Sequence, residues 1–120
     1  MRDKVIIIAE AGVNHNGDIE RAKALIDAAF DAGVDYVKFQ TFKADKIVSL
    51  NAKKAEYQIE SLDCTDDFQY NMLKQLELSH ENHLELIQYC RQKGIQFFST
   101  AFDTEGVDYL DSLGFNMFKI

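Results

Sequence analysis

The sequence predicts an α/β fold with parallel strands, because one local pattern occurs three times within its 120 residues. In each occurrence a helical periodicity ends at a glycine, and a short apolar run follows at once. The three junctions are Gly33-Val34, Gly94-Ile95 and Gly114-Phe115. Repeated β/α units of this kind build parallel sheets with right-handed crossovers. With an apolar run before the first helix, the pattern predicts four strands, at about 5–10, 34–40, 95–99 and 115–120.

Four helical segments are predicted between these strands. Apolar residues recur at helical spacing from Ile19 to Phe30, at about 67–78, in the segment before Gly94, and around Val107 and Leu110. The polar stretch 41–67 is longer than most βα connections, and loops of that length are usually functional or mobile. The residues that support the helices are the N-caps Asp18, Ser79 and Asp103 or Thr104, the apolar positions Leu84, Ile87 and Cys90, and the stops Gly33 and Gly94.

Composition excludes several classes of function. The formal net charge is −7 and no run of Lys or Arg occurs, so nothing predicts a nucleic-acid partner. No stretch reaches membrane-spanning length, and the few apolar residues before Glu10 are too short for a signal peptide. Cys64 and Cys90 form no CxxC pair and are expected to be reduced, which favours a cytoplasmic protein.

Chain length leaves two architectures open. A (β/α)8 barrel takes about 250 residues, so four β/α units make half of one. The alternative is a small open α/β sheet. The apolar segment 115–120 continues to the last residue without a polar tail, which favours the interpretation as a fragment of a longer chain.

Charged side chains recur near the C-terminal ends of three predicted strands. Glu10, Lys38 and Lys119 each end an apolar run, and Gln40 shares a strand face with Lys38. Ligands bind at these strand ends in parallel α/β proteins. If the four side chains converge, two cations and a carboxylate suit an anionic substrate and proton transfer. The structural alternative is a buried Glu10–Lys38 ion pair, which does not exclude function.

Other polar motifs are less specific. The loop 12–17 lacks the glycine pattern of nucleotide-binding loops; its Asn14 and His15 could bind ligand or form only a local turn. Ser99 and Thr100 could serve a phosphate or satisfy backbone groups. His80 and His83 lie one helical turn apart, but no third ligand is near, so we predict a solvated helix start rather than a metal site.

Five strings of this chain resemble the sialic acid synthase family in order and spacing. They are IAEAGVNHNG from Ile8, VKFQTFKAD from Val37, KAEYQ from Lys54, FSTAFD from Phe98 and FKI from Phe118. The resemblance covers nearly the whole chain and is nearest to N-acetylneuraminate synthases and their legionaminate-type relatives. It implies a (β/α)8 barrel that condenses phosphoenolpyruvate with N-acetylmannosamine or a related sugar and releases phosphate. It also implies a divalent metal (Mn or Mg) and a homodimer closed by a C-terminal antifreeze-like domain.

The resemblance assigns roles by position. Lys38 and Lys119 match lysines that hold phosphoenolpyruvate, whereas Glu10 and Gln40 match catalytic polar groups on the same barrel face. The remaining substrate-binding candidates are Asn14, His15, Tyr57, Thr100 and Phe102.

The chain departs from the family pattern in two respects. Ala101 stands where the motif usually has proline, which loosens the turn but removes no reactive group. The family's metal ligands, the serine and glutamate after Lys119, and the closing domain would all lie beyond Ile120. Residues 1–120 are therefore interpreted as the N-terminal half of the barrel, and we expect this chain alone to be inactive.

Two alternatives remain at this point. A Schiff-base aldolase could use Lys38 or Lys119 as a nucleophile toward a keto substrate. A catalytically incompetent fragment could instead act only by pairing its open strand edges with another polypeptide.

Overall fold

The computed structural model describes residues 4–47 and 63–120, and within them three parallel strands form one sheet. The strands are β1 (Ile8–Gly12), β2 (Tyr36–Thr41) and β3 (Gln96–Ala101), in the order β1-β2-β3. Lys38 pairs with Glu10 of β1 on one side and with Phe98 of β3 on the other. The predicted parallel α/β architecture is confirmed, and all three C-terminal strand ends lie at one edge.

Four helices connect and follow the strands: α1 (Ile19–Asp31), α2 (Asp63–Leu76), α3 (His80–Lys93) and α4 (Thr104–Ser112). The predicted N-caps Asp18, Ser79 and Asp103 each accept a hydrogen bond from a backbone N–H of the first helical turn. Gly94 ends α3 in the left-handed conformation, as predicted. None of the described helices is long and apolar enough to cross a membrane.

Helices α1 and α3 pack on one face of the sheet and form the core with it. Because side chains alternate along a strand, Val37 and Phe39 face these helices while Lys38 and Gln40 face the other way. Phe39 is fully buried, and its ring stacks on Phe97 with centroids 5.5 Å apart. The other buried members are Ala11, Ala22, Ile26, Ala29, Leu78, Leu86, Cys90 and Ile95.

The predicted fourth strand is wrong for the described structure, in which residues 115–120 are not paired with the sheet. The Phe115 N–H donates instead to the Leu110 carbonyl and closes the end of α4. The Phe115 ring packs on Phe97, at 5.6 Å between centroids. These two local contacts hold the start of the segment at the helix end, away from a β3 ladder.

The first apolar run is also less buried than predicted. β1 begins only at Ile8, and Val5, Ile6, Ile7 and Ile8 are between 41% and 78% exposed. β1 pairs only with β2 among the described strands, so one edge and one face of the run have no neighbouring layer. A short apolar run predicts a strand, but its burial depends on which elements cover it.

Helix α3 buries part of the predicted stripe, since Cys90 is buried and Ile87 packs against the core. Its buried residues are His83, Leu86 and Cys90, whereas Leu84 is exposed. The predicted solvated start is therefore wrong for His83, although His80 is exposed as expected. Spacing by three and four residues places His83 on the same face as Leu86 and Cys90.

Candidate active site

A β-bulge follows Glu10 at the end of β1. The pairing with β2 changes register between Glu10 and Gly12, so Ala11 is an extra residue and is buried in the core. Gly12 has a φ of 57°, which suits glycine. Because Glu10 and Lys38 are register partners, their side chains lie on the same side of the sheet, and the next residue, Ala11, faces the helices.

Lys38 is the centre of the polar cluster on that side of the sheet. The residue is only 7% exposed, and its Nζ lies 2.7 Å from Glu10 Oε2 and donates to Thr100 Oγ1 at 2.6 Å. An ammonium group has three N–H donors, so one remains without a partner among the described residues. The Glu10 side chain is about half exposed, which leaves its carboxylate open to solvent.

Gln40 completes the cluster beside Gly12. A Cβ on Gly12 would lie 3.0 Å from Glu10 Oε1 and 3.6 Å from Gln40 Nε2. Both side chains therefore converge over the glycine, which leaves room for them. The structure thus brings together Glu10, Lys38, Gln40 and Thr100, four of the residues that the sequence singled out.

The other candidate residues lie elsewhere. Lys119 is exposed and makes no ion pair or hydrogen bond with the described side chains of 4–47 and 69–120, so its predicted convergence on the cluster does not occur in this structure. Phe102 is 48% exposed, with its ring 5.6 Å from Phe42. Asn14 is exposed in the turn after β1. Tyr57 lies outside the described residues.

His15 is buried on the helix side of the sheet, away from Lys38. Its Nδ1 accepts a hydrogen bond from the Gly17 N–H at 2.9 Å, and its ring lies 6.1 Å from that of Phe39. The Nε2 atom is buried and has no hydrogen-bond partner among the residues that the structure describes. Burial lowers the pKa of His15 and keeps the ring neutral. This geometry supports the local turn rather than contact with the cluster.

A second polar network, which the sequence did not predict, lies on the helix side of the same strand ends. Thr41 Oγ1 is 2.8 Å from His83 Nε2 and 2.6 Å from Ser99 Oγ. All three residues are buried, and His83 Nδ1 is 2.7 Å from the Ser79 carbonyl oxygen. A cavity of about 210 Å³ lies beside the network, between β2 and the starts of α3 and α4.

Cys90, the cysteine whose side chain the structure describes, is unreactive, and the described side chains offer no metal site. Burial raises the pKa of the Cys90 thiol to about 12, so this cysteine is not a nucleophile at neutral pH. Among the described side chains, at residues 4–47 and 69–120, no group of three His, Cys, Asp or Glu could hold a metal ion. The chemistry that the cluster offers is anion binding by the Lys38 ammonium group and proton transfer by the Glu10 carboxylate.

Acid is expected to destabilise the fold below about pH 6.5. Burial lowers the pKa of both His15 and His83 from 6.5, so the unfolded chain takes up protons that the folded chain resists. The free energy of unfolding should fall by up to about 1.4 kcal/mol per pH unit for each group. Urea unfolding between pH 7.5 and 5 measures this slope.

The variant His83→Gln tests whether the buried histidines cause this pH dependence of the unfolding free energy. His83→Gln should reduce it by about half, because His15 remains. Asp27 and Asp35 do not contribute to the slope between pH 7.5 and 5, because hydrogen bonds from Tyr89 and from the Ile7 N–H lower their pKa values from 3.8. Their stabilisation is lost only as the pH falls below that value. An unchanged slope in His83→Gln would contradict the buried neutral imidazole.

Comparison with known proteins gives consistent results. A family model described as the NeuB family matches residues 25–120. N,N'-diacetyllegionaminic acid synthase of Campylobacter jejuni subsp. jejuni serotype O:2 is 51% identical over 117 residues, 98% of this chain and 35% of that protein. The synthase of the same name from Legionella pneumophila subsp. pneumophila is 53% identical over 114 residues, 95% of this chain and 32% of that protein.

A solved structure supports the same conclusion about the fold. It is the crystal structure of N-acetylneuraminic acid (sialic acid) synthetase from Leptospira borgpetersenii serovar Hardjo-bovis in complex with citrate. The match has a TM-score of 0.74 at 32% identity and covers 98% of this chain and 36% of that one. The predicted fold class, the N-terminal part of a TIM-type barrel, is confirmed. The chain spans about a third of the length of these relatives.

Proposed function

Because the chain belongs to the NeuB family, we propose that it forms the phosphoenolpyruvate-binding part of a synthase that condenses phosphoenolpyruvate with an N-acetylated sugar and releases phosphate. The observation that carries the proposal is the buried Lys38 ammonium group at the C-terminal strand ends, one N–H of which has no partner in the described part of the chain. A desolvated cation at this edge suits a compact, multiply charged anion.

Each residue of the cluster receives a role in this reaction. Lys38 binds the phosphate or carboxylate of phosphoenolpyruvate, and Thr100 holds the ammonium group in place. Glu10, which is close to Lys38 and open to solvent, accepts the proton that the attacking water loses. Gln40 binds a sugar hydroxyl. Lys119, Asn14, His15, Tyr57 and Phe102 stay substrate-binding predictions from the family resemblance.

The chemistry balances without a redox partner. The C2=C3 electrons of phosphoenolpyruvate form a C–C bond to the aldehyde carbon of the open-chain sugar, and the aldehyde oxygen takes up a proton. Water adds at C2 and loses a proton, which Glu10 is placed to accept. The C2–O bond to the phosphate then breaks as the C2 hydroxyl becomes the ketone, and the hydroxyl proton passes to the departing phosphate. Lys38 stabilises the negative charge of the reacting anion throughout.

The sugar and the cellular context belong to the same proposal. Two relatives that are 51% and 53% identical are named N,N'-diacetyllegionaminic acid synthases, which favours a mannosamine-type sugar with two acetamido groups over N-acetylmannosamine. A homodimer and a cytoplasmic location complete the proposal, and the free buried Cys90 supports the latter. The divalent metal stays a prediction from the resemblance, with ligands outside the described residues.

Isotopic labelling tests the reaction directly. The intact gene product is incubated with the diacetamido sugar and phosphoenolpyruvate that carries ¹⁸O in the bridging C–O–P oxygen. We expect the label in the released phosphate, because the C–O bond breaks. N-acetylmannosamine and its 6-phosphate serve as comparison substrates.

The same samples test the aldolase alternative. The Lys38 ammonium group is ion-paired with Glu10 and is not the free amine that forms a Schiff base, so borohydride with pyruvate should trap no adduct on Lys38. The proposed reaction has no Schiff-base step, so none is expected on Lys119 either. A trapped adduct without phosphate release would replace the proposed function with the aldolase.

A further inference from the structure

The hydrogen bonds around His83 define a directed chain. A backbone carbonyl only accepts, so the contact of His83 Nδ1 with the Ser79 carbonyl places the proton on Nδ1. In the neutral ring Nε2 is then an acceptor, and it accepts a hydrogen bond from the Thr41 hydroxyl. The Thr41 oxygen in turn accepts from the Ser99 hydroxyl. The donor and the acceptor of each of these three hydrogen bonds are thereby assigned.

This hydrogen-bond network joins β2, β3 and α3 at the C-terminal ends of the strands, where the Lys38 cluster also lies. Thr41 ends β2, Ser99 lies in β3, and His83 is in the first turn of α3. His83 is also held by edge contacts with the rings of Phe97 and Tyr109. The network is therefore fixed by packing as well as by hydrogen bonds, and it is anchored on a helix rather than a loop.

The two polar groups sit back to back across the sheet. Thr100 follows Ser99 directly, and Gln40 precedes Thr41, so each strand carries one residue of each group. Gln40 and Thr100 are themselves register partners. Successive side chains point to opposite faces, but consecutive residues share one backbone. A shift of the Thr41 or Ser99 backbone therefore moves the neighbouring Gln40 or Thr100 as well.

We propose that His83 is a positioning residue: through Thr41 and Ser99 it fixes the ends of β2 and β3, and so sets where Lys38 and Thr100 meet the phosphoenolpyruvate anion. The inference rests on the proposed function. It adds a specific residue on the helix side of the sheet, one that touches no substrate. The hydrogen-bonded chain acts on the anion site because the site's own hydrogen bond, from Lys38 to Thr100, joins the same two strands.

Kinetics of Thr41→Val in the intact gene product test the proposal. The variant keeps the shape of the side chain but removes the donor to His83 and the acceptor for Ser99. We expect KM for phosphoenolpyruvate to rise about tenfold, since small displacements of positioned groups cost up to about 10²-fold. KM for the sugar should rise as well, because Gln40, which is proposed to bind a sugar hydroxyl, directly precedes Thr41 in β2. A role in stability alone would lower Tm and leave both constants at their wild-type values, which would overturn the proposal.

Matched variants keep the test decisive. His83→Phe retains a ring against Tyr109 but loses the chain, so it should reproduce the Thr41→Val effect. His80→Phe changes the same residue type one turn earlier, against the same tyrosine, and should leave KM unchanged. Where Thr41→Val does not fold, Ser99→Ala takes its place, and a wild-type KM in that variant overturns the proposal.

The imidazole tautomer gives an independent readout. Two-bond ¹H–¹⁵N correlation spectra of the wild-type protein should show His83 protonated at Nδ1 with Nε2 as acceptor. Protonation at Nε2 alone would reverse the chain and overturn the proposal. A wild-type protein that neither binds nor consumes phosphoenolpyruvate instead refutes the proposed function itself, so the two failures are distinguishable.

Discussion

Lys38→Ala in the intact gene product is expected to raise KM for phosphoenolpyruvate by about 100-fold, the effect of losing one well-placed charged donor. The ammonium group is buried between Glu10 and Thr100, and no other described cation contacts these two side chains. Removing it leaves the Glu10 carboxylate facing the anion without compensation. Steady-state kinetics at varied phosphoenolpyruvate and saturating sugar measure the change.

Lys23→Ala is the matched control for this variant. Lys23 also forms a carboxylate ion pair, 3.0 Å from Glu85 Oε1, but it joins helices α1 and α3 on the opposite face of the sheet. It should alter stability by no more than about 1 kcal/mol, as surface ion pairs do, and leave KM unchanged. If Lys38→Ala showed the same kinetics as Lys23→Ala, Lys38 would not belong to the site.

Gly17→Ala is expected to destabilise the fold by about 2–5 kcal/mol, from left-handed backbone strain together with overpacking. Gly17 has a φ of 79°, and a Cβ there would lie only 2.2 Å from the Gln75 carbonyl oxygen at the end of α2. The backbone of a helix end cannot move aside as a flexible side chain can. Urea unfolding measures the loss.

Gly33→Ala separates strain from crowding. Gly33 has almost the same φ, 77°, but no atom lies within 4 Å of a Cβ built on it. This variant should lose only the cost of the left-handed conformation, about 1–2 kcal/mol. Equal losses in the two glycine variants would mean that the loop 12–17 does not pack against α2.

The sequence predicted those parts of the structure that depend on local chemistry. The N-caps Asp18, Ser79 and Asp103 are formed by side chains that reach the first turn of their own helices, so they can be recognised from a few residues. Lys38 could be matched with Glu10 because strand-end charges of successive parallel strands meet at one edge.

The remaining features depend on contacts between distant segments. His83 resembles a solvated polar residue at a helix start, but in the folded chain Thr41 of β2, itself hydrogen-bonded to Ser99 of β3, donates to its ring. Its spacing from Leu86 and Cys90 was the one available signal, and the polarity of histidine argued against it. The bulge at Ala11 depends on pairing with β2, which cannot be seen in β1 alone.

The unformed fourth strand has the same origin. The apolar run at 115–120 has the composition of a strand, but composition does not specify a hydrogen-bonding partner. In the described structure the first N–H of this run is bonded to Leu110 at the end of α4. Lys119 consequently does not join Lys38, although both lysines end similar runs.

A crystal structure of the intact gene product with phosphoenolpyruvate tests the central claim most directly. The account predicts a phosphate or carboxylate oxygen of the ligand at hydrogen-bond distance, about 2.7–3.2 Å, from Lys38 Nζ, on the sheet face that carries Glu10 and Thr100. Phosphoenolpyruvate bound on the helix side, in the cavity beside Thr41 and His83, with Lys38 contacting only Glu10 and Thr100, would contradict it.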